Sequence, residues 1–220
     1  MKLLLRTLVP LIIIQQKPRI MSLQKFDFRT AVLLLMIVII GALRVVFNFN
    51  YEISPLANFS PLGAMALFSG AYFNKSRKAF AFPLLTLFVS DFILHQTVFK
   101  AYGNGFLYSG WYWVYGAFAL MTLAGRWMIR KVTVHTFLLS VFACVFIHWI
   151  VSDIGVWIGS KIYAQTVSGF MNCLAAAIPN EGHFLAGTLV YGTVMFGVFE
   201  WMKQRYTSLQ LKMIRRNGYK

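Results

Sequence analysis

The chain has 220 residues, of which 59% are hydrophobic and only 12% charged, against about a quarter charged in an average soluble domain. Its apolar residues fall in several long runs, more than one soluble core would use, which points to a single compact membrane domain. The net charge of +15 does not point to nucleic acid, because Lys and Arg sit in short clusters between the apolar runs rather than in one patch with interleaved aromatics. Clusters so placed are topology signals, and a face that carries them attracts anionic lipid headgroups.

Residues 1–20 begin MKLLLRTLVPLIII, which is like a signal peptide except that Arg6 and Pro10 interrupt the apolar region. No small-residue cleavage site follows. Met21 opens a plausible second start directly before the first strong apolar run, so residues 1–20 are read as a start-site extension or a surface-lying segment. Together with residues 21–29 they form an N-terminal segment on the cytoplasmic side. The first span then covers residues 30–47, with Arg44 near its far end. The second covers 61–73, extendable back to 56. The third covers 79–95, the fourth 109–128, the fifth 134–158 and the sixth 183–202. A basic tail, 203–220, completes the chain. Cys144 in the fifth span and Cys173 after it make neither a metal pattern nor a disulfide framework, and are expected as free thiols packed like small hydrophobes.

Lys and Arg alternate across these connections. The N-terminal segment carries six, the connection after span one none, the next three (Lys75, Arg77, Lys78), the next only Lys100. Arg126, Arg130 and Lys131 follow span four, Lys161 alone follows span five, and the tail carries six more. Eighteen of the 21 basic residues therefore share one side. Moving them against the membrane potential is costly, so that side is cytoplasmic. The expected fold is an all-α membrane bundle of six transmembrane helices with both termini inside, in a bacterial inner membrane. Glu52 and Glu181 lie in outer connections, and Asp91 and Asp153 in the outer thirds of spans three and five.

Four constellations could carry function. Asn58-Phe59-Ser60-Pro61 opens span two, where Ser60 suits an N-cap and Pro61 the first helical position. The 13 residues from 61 to 73 make about 20 Å of helix, short of a hydrocarbon core about 30 Å thick. This helix should begin below the outer surface, with its N-terminus facing either a protein-lined ligand cavity or an ordinary tilted packing. Val89-Ser90-Asp91 and Val151-Ser152-Asp153 repeat one tripeptide at similar depth. His95 shares a face with Asp91, one turn on, and His148 stands about 140° round the helix from Asp153. Intramembrane carboxylates face a bundle interior or water. They would line a polar cavity, or make interhelical hydrogen bonds with Arg44 as an ion-pair partner. Trp111, in the aromatic run at the outer end of span four, belongs to an interfacial belt or stacks on a planar ligand. Finally, Thr166 caps a short amphipathic helix over 166–178 that Pro179 ends, with Asn172 off its apolar stripe. That helix is either a lid or an interfacial element.

The stretch 58–64 with Ala66-Leu67-Phe68 and Gly70-Ala71-Tyr72-Phe73 forms one signature. Trp157, Tyr163, Thr166, Gly169, Cys173 and Ala176-Ala177-Ile178-Pro179 form a second. Together they resemble an uncharacterised family of bacterial membrane proteins labelled as transport proteins. That family is distantly similar to the substrate-binding (S) components of energy-coupling-factor (ECF) vitamin transporters. The resemblance implies six helices, both termini inside and a ligand site near the outer face roofed by loops, with Tyr163 and Trp157 near it. It also implies a coupling transmembrane subunit with ATPases as partner. The chain departs from the pattern in lacking a pair of alanines four apart in span one, and in carrying Asp153 where the resemblance implies asparagine. Coupling partner and ligand charge therefore stay open.

The expected function is a transporter or substrate-capture subunit for a small polar solute of vitamin or cofactor-precursor kind. Asn58 and Ser60 would orient the solute, Asp91, His95 and Asp153 would supply polar contacts, Trp111 or Trp157 would stack, and the segment with Thr166 and Asn172 would close the site. Two other readings stay beside it, a proton- or cation-coupled carrier using Asp91 and Asp153, and a non-transporting structural protein. No hydrolase elbow, phosphate loop or HExxH occurs, so no enzyme, metal or cofactor is expected. A fluorescent-protein fusion at Lys220 should fluoresce and an alkaline phosphatase fusion there should be inactive. The opposite pair of results would reverse the topology.

Overall fold

The computed structural model describes residues 28–48, 59–98, 100 and 106–209. Asn58, the segment 1–27 and the tail 210–220 lie outside them. The described residues form six α-helices: α1 (Phe28–Asn48), α2 (Leu62–Tyr72), α3 (Ser76–Thr97), α4 (Trp111–Met128), α5 (Val134–Gly159) and α6 (Val167–Arg205). A 3-10 turn, Thr207–Leu209, follows. No strand occurs among the described residues. By length and composition α1, α3, α5 and α6 are apolar enough to cross a membrane. Their outward faces are apolar as well, with Leu35, Val38, Leu85, Val89, Phe142, Phe146, Val190 and Val194 exposed, a surface that suits hydrocarbon rather than water.

Helix α2 is the centre of the bundle. It is apolar all round, and every residue from Leu62 to Gly70 is buried, as such a helix requires. It touches each of the five other helices. Two glycines let α2 and α4 come together backbone to backbone. Gly70 faces the Thr122 carbonyl, and a Cβ on Gly125 would stand 2.5 Å from the Leu67 carbonyl oxygen and 2.8 Å from its Cα. Gly187 of α6 gives the same clearance to the loop entering α2, where a Cβ would meet the Ser60 carbonyl oxygen at 2.6 Å.

The start of α1 and the turn after α6 meet at one end of the bundle, here the terminal end. Arg29, 5% exposed, donates to the Tyr72 carbonyl at 2.9 Å and to the Leu209 carbonyl. Its guanidinium lies 5.4 Å from the Phe199 ring centroid. The Tyr72 hydroxyl donates to Glu200 at 2.6 Å, and Lys203 reaches both Glu200 oxygens at 2.8 Å. Arg126 donates to the Phe73 and Asn74 carbonyls, each at 3.2 Å, which serves the acceptors that the end of α2 leaves open.

One expectation is corrected. Residues 166–178 are not a separate outer helix ended by Pro179. Helix α6 runs unbroken for 39 residues with Pro179 inside it, about 58 Å of helix. A proline in a helix interior forfeits one backbone hydrogen bond and crowds the preceding turn. Here the turn is held from outside, since the Trp149 indole donates to the Leu174 carbonyl at 3.1 Å. Cys173 and Leu174 before the proline and Phe184 and Gly187 after it are all buried, so both halves of α6 pack inward as one element. The cap was legible, and the Thr166 hydroxyl accepts from the Gly169 N–H at 3.2 Å.

Gly125→Ala should destabilise the protein by about 1–3 kcal/mol through overpacking, despite the gain in helix propensity. Gly116→Ala, inside α4 where a Cβ meets nothing within 4 Å, should leave stability unchanged or raise it by up to about 1 kcal/mol through helix propensity. Unfolding in detergent micelles checks both, and equal effects would remove α2–α4 contact as the reason for Gly125.

Candidate functional site

Buried polar side chains gather at the end of the bundle away from the termini, in two clusters. The first joins α1, α3 and the approach to α4. The Arg44 guanidinium lies 2.6 Å from Asp91 Oδ1, with side chains 15% and 2% exposed. The same nitrogen donates to the Ser90 hydroxyl at 2.6 Å. Tyr108 donates to Asp91 Oδ2 at 3.3 Å. Burial first, and then the Asp91 charge, push the Tyr108 hydroxyl well above its ordinary range, so it stays a donor. The Tyr115 hydroxyl of α4 is buried and has no hydrogen-bond partner among the described residues. His95 is buried one turn beyond Asp91. Asp91 is thus answered by a cation and a donor, which is what a buried carboxylate needs.

The second cluster joins α5 and α6. His148 Nδ1 lies 2.8 Å from Glu181 Oε1, and the His148 ring stacks on Phe184 with centroids 4.2 Å apart and planes 21° from parallel. Asp153, 8% exposed, sits beside Cys173, whose thiol donates to the Asp153 carbonyl at 3.9 Å. Among the described residues, Asp153 Oδ2 and Glu181 Oε2 are buried without hydrogen-bond partners, and so is the Thr188 hydroxyl. Glu181, Phe184 and Thr188 form one stripe down α6, three and seven residues apart. At Thr188 the stripe reaches the start of α2, against Gly63, whose carbonyl also accepts from the Cys144 thiol at 3.7 Å.

Beyond that level, toward the terminal end, the bundle is filled with rings. Phe68 packs edge-on against Phe196 and Phe199 at 5.4 and 5.6 Å, Phe137 against Phe196 at 5.4 Å, and Tyr72 against Phe199 at 4.5 Å.

The residues singled out from sequence do not form one site. Asp91 and Asp153 fall in separate clusters. The half-buried Ser60 accepts from the Leu62 N–H at 3.3 Å, a turn hydrogen bond at the entry to α2, with Pro61 as the cap residue. Trp111 is 42% exposed and packs edge-on against Tyr115 at 5.2 Å. Trp157 lies in the last turn of α5, and Tyr163 and Thr166 lie in the connection from α5 to α6. The Trp157 indole donates to Ala164 at 2.8 Å, and the Tyr163 N–H bonds Ser160 Oγ at 3.2 Å. Asn172 is exposed on α6. Sequence reasoning missed Glu181 and Thr188, because Pro179 read as a helix stop and left Glu181 in a connection. With α6 continuous, the 181–184–188 spacing is the signal that finds them. Among the described residues, no three His, Cys, Asp or Glu groups lie close enough to hold one metal ion.

Removing Arg44 alone would leave the Asp91 charge buried. Arg44→Gln should cost about 3–5 kcal/mol, and the double change Arg44→Met, Asp91→Leu should recover most of it. Unfolding in micelles measures both, and a silent Arg44→Gln would show that the pair does not hold α1 on α3.

Residues 24–209 match a family of unknown function (DUF6580), and the chain belongs to that family. Comparisons with curated proteins and with solved structures give no match.

Proposed function

We propose that this protein is a six-span bacterial inner-membrane transporter, or the substrate-capture subunit of one. It binds a small polar solute in its outer half, with the terminal end cytoplasmic. One observation carries the reading. The buried side-chain oxygens left without a hydrogen-bond partner among the described residues (Tyr115, Asp153, Glu181, Thr188) lie at or beyond the start of the short α2, whereas in the other half Arg29, Tyr72 and Glu200 are paired and interlocked rings (Phe68, Phe137, Phe196, Phe199) fill the space. Isolated polar side chains in a membrane interior are costly and mark solute or ion paths. A polar half closed on one side by an apolar half is the form of a binding site open to one compartment. The basic face assigns the terminal end to the cytoplasm, so the site faces outward. Translocation then requires the rings to part, through a rearrangement of α6 against α2 or through a coupling partner.

The proton- or cation-coupled carrier keeps support from one observation, the unpartnered oxygens of Asp153 and Glu181. Asp91 drops out of it, because Arg44 already answers its charge.

The test is thermal unfolding of the purified protein against a panel of polar solutes of each charge. A solute at about 100 times its dissociation constant adds about 2.7 kcal/mol, a rise of several degrees. No shift with any solute, together with free replacement of the outer polar residues at unchanged fitness in vivo, would leave a structural protein.

A further inference from the structure

We propose that the α5–α6 cluster binds an organic ammonium ion, with Asp153 and Glu181 as its acceptors. This rests on the solute-capture reading and names the class of solute.

The charge balance points to a cation. When His148 is protonated, its 2.8 Å contact with Glu181 cancels one negative charge and leaves Asp153 uncompensated. Among the described residues, the neighbouring elements do not supply the missing charge. Helix α4 brings the Trp113 ring against Gly155, and α2 brings the Gly63 carbonyl to Cys144. Lys161, in the α5–α6 connection, is exposed. Arg44 is held by Asp91. A buried carboxylate without a counter-charge is strongly unfavourable in a low-dielectric interior, and one positive charge settles it.

The hydrogen-bonding vacancy points to a cation with N–H groups. Asp153 Oδ2 and Glu181 Oε2 are acceptors, and each is buried without a donor. A protonated amine offers two or three donors, and a quaternary ammonium offers none. Spacing argues against a metal ion. Among the described residues no three His, Cys, Asp or Glu groups lie close enough to hold one metal ion. The N–H groups of one ammonium nitrogen would serve the two carboxylates in place of a metal.

A ligand-free readout follows from the same balance. If Asp153 holds a charge in reserve for a cation, Asp153→Asn removes an uncompensated charge while keeping shape, so the unliganded variant should melt at or above wild type. Full-length protein in micelles at pH 7.5 is titrated with benzylammonium or ethylammonium chloride, with benzyl alcohol and sodium chloride as controls at matched ionic strength. At least one ammonium should raise the melting temperature saturably, and neither control should reproduce it. Asp153→Asn and Glu181→Gln should each weaken the effect at least tenfold. Glu181→Gln keeps the proposal testable if Asp153→Asn fails to fold. An unliganded Asp153→Asn that folds but melts below wild type would overturn the assignment. So would equal shifts with benzyl alcohol, or no shift with either ammonium. A neutral or anionic solute that stabilises wild type and Asp153→Asn alike would remove the cation while leaving solute capture standing. No shift with any solute would remove both.

Discussion

A helix of eleven residues covers only about 16 Å of a hydrocarbon layer about 30 Å thick, yet α2 stands at the centre of this bundle. The rest of the structure follows from that mismatch. Buried along its length, α2 offers small and apolar residues with one serine, whose hydroxyl bonds back to Ala66 at 3.1 Å, and a tyrosine at its end, whose hydroxyl donates to Glu200. Its neighbours approach closely enough to seal it, and glycines at the contact points make that possible. Because α2 is short, the surrounding helices extend past its start, and there the packing changes character.

The two ends of α2 meet different chemistry. At its C-terminal end, Arg29, Tyr72, Glu200 and Lys203 answer one another's charges and hydrogen bonds, and the aromatic rings fill the space beside them. This end is a closed knot that ties α1, α2 and α6 together. Past its N-terminal end, one cluster is balanced and the other is not. Arg44 and Tyr108 satisfy Asp91, which fixes α1 to α3. Asp153 and Glu181 keep unpartnered oxygens. Buried charge is thus answered in two places and left open in the third, where the proposed binding would concentrate.

Much of this was legible in the sequence. The apolar runs located all six helices, and 61–73 already marked α2 as too short to span. The Asp91–Arg44 pair was one of two readings of the repeated Val-Ser-Asp tripeptide, and the structure selects it for Asp91 but not for Asp153. The tripeptide could not reveal that difference, because it depends on which helix packs opposite, and α1 brings the Arg44 guanidinium to Asp91. Pro179 misled for a physical reason. Its local cost is real, but tertiary packing of α6 on α5 outweighs it, a balance that local sequence does not contain. The same error hid Glu181. Arg29 counted only as one of the N-terminal basic residues, because nothing local shows that Tyr72 and Phe199 will bury it.

The central claim is that the α5–α6 cluster opens outward and is closed to the cytoplasm. Glu181→Cys, in a chain whose Cys144 and Cys173 are replaced by alanine, tests it most directly. The variant is treated with a membrane-impermeant, ammonium-bearing methanethiosulfonate in right-side-out and in inverted vesicles. An outward-facing site gives modification in right-side-out vesicles and none in inverted ones. Modification from the cytoplasmic side alone would contradict the claim.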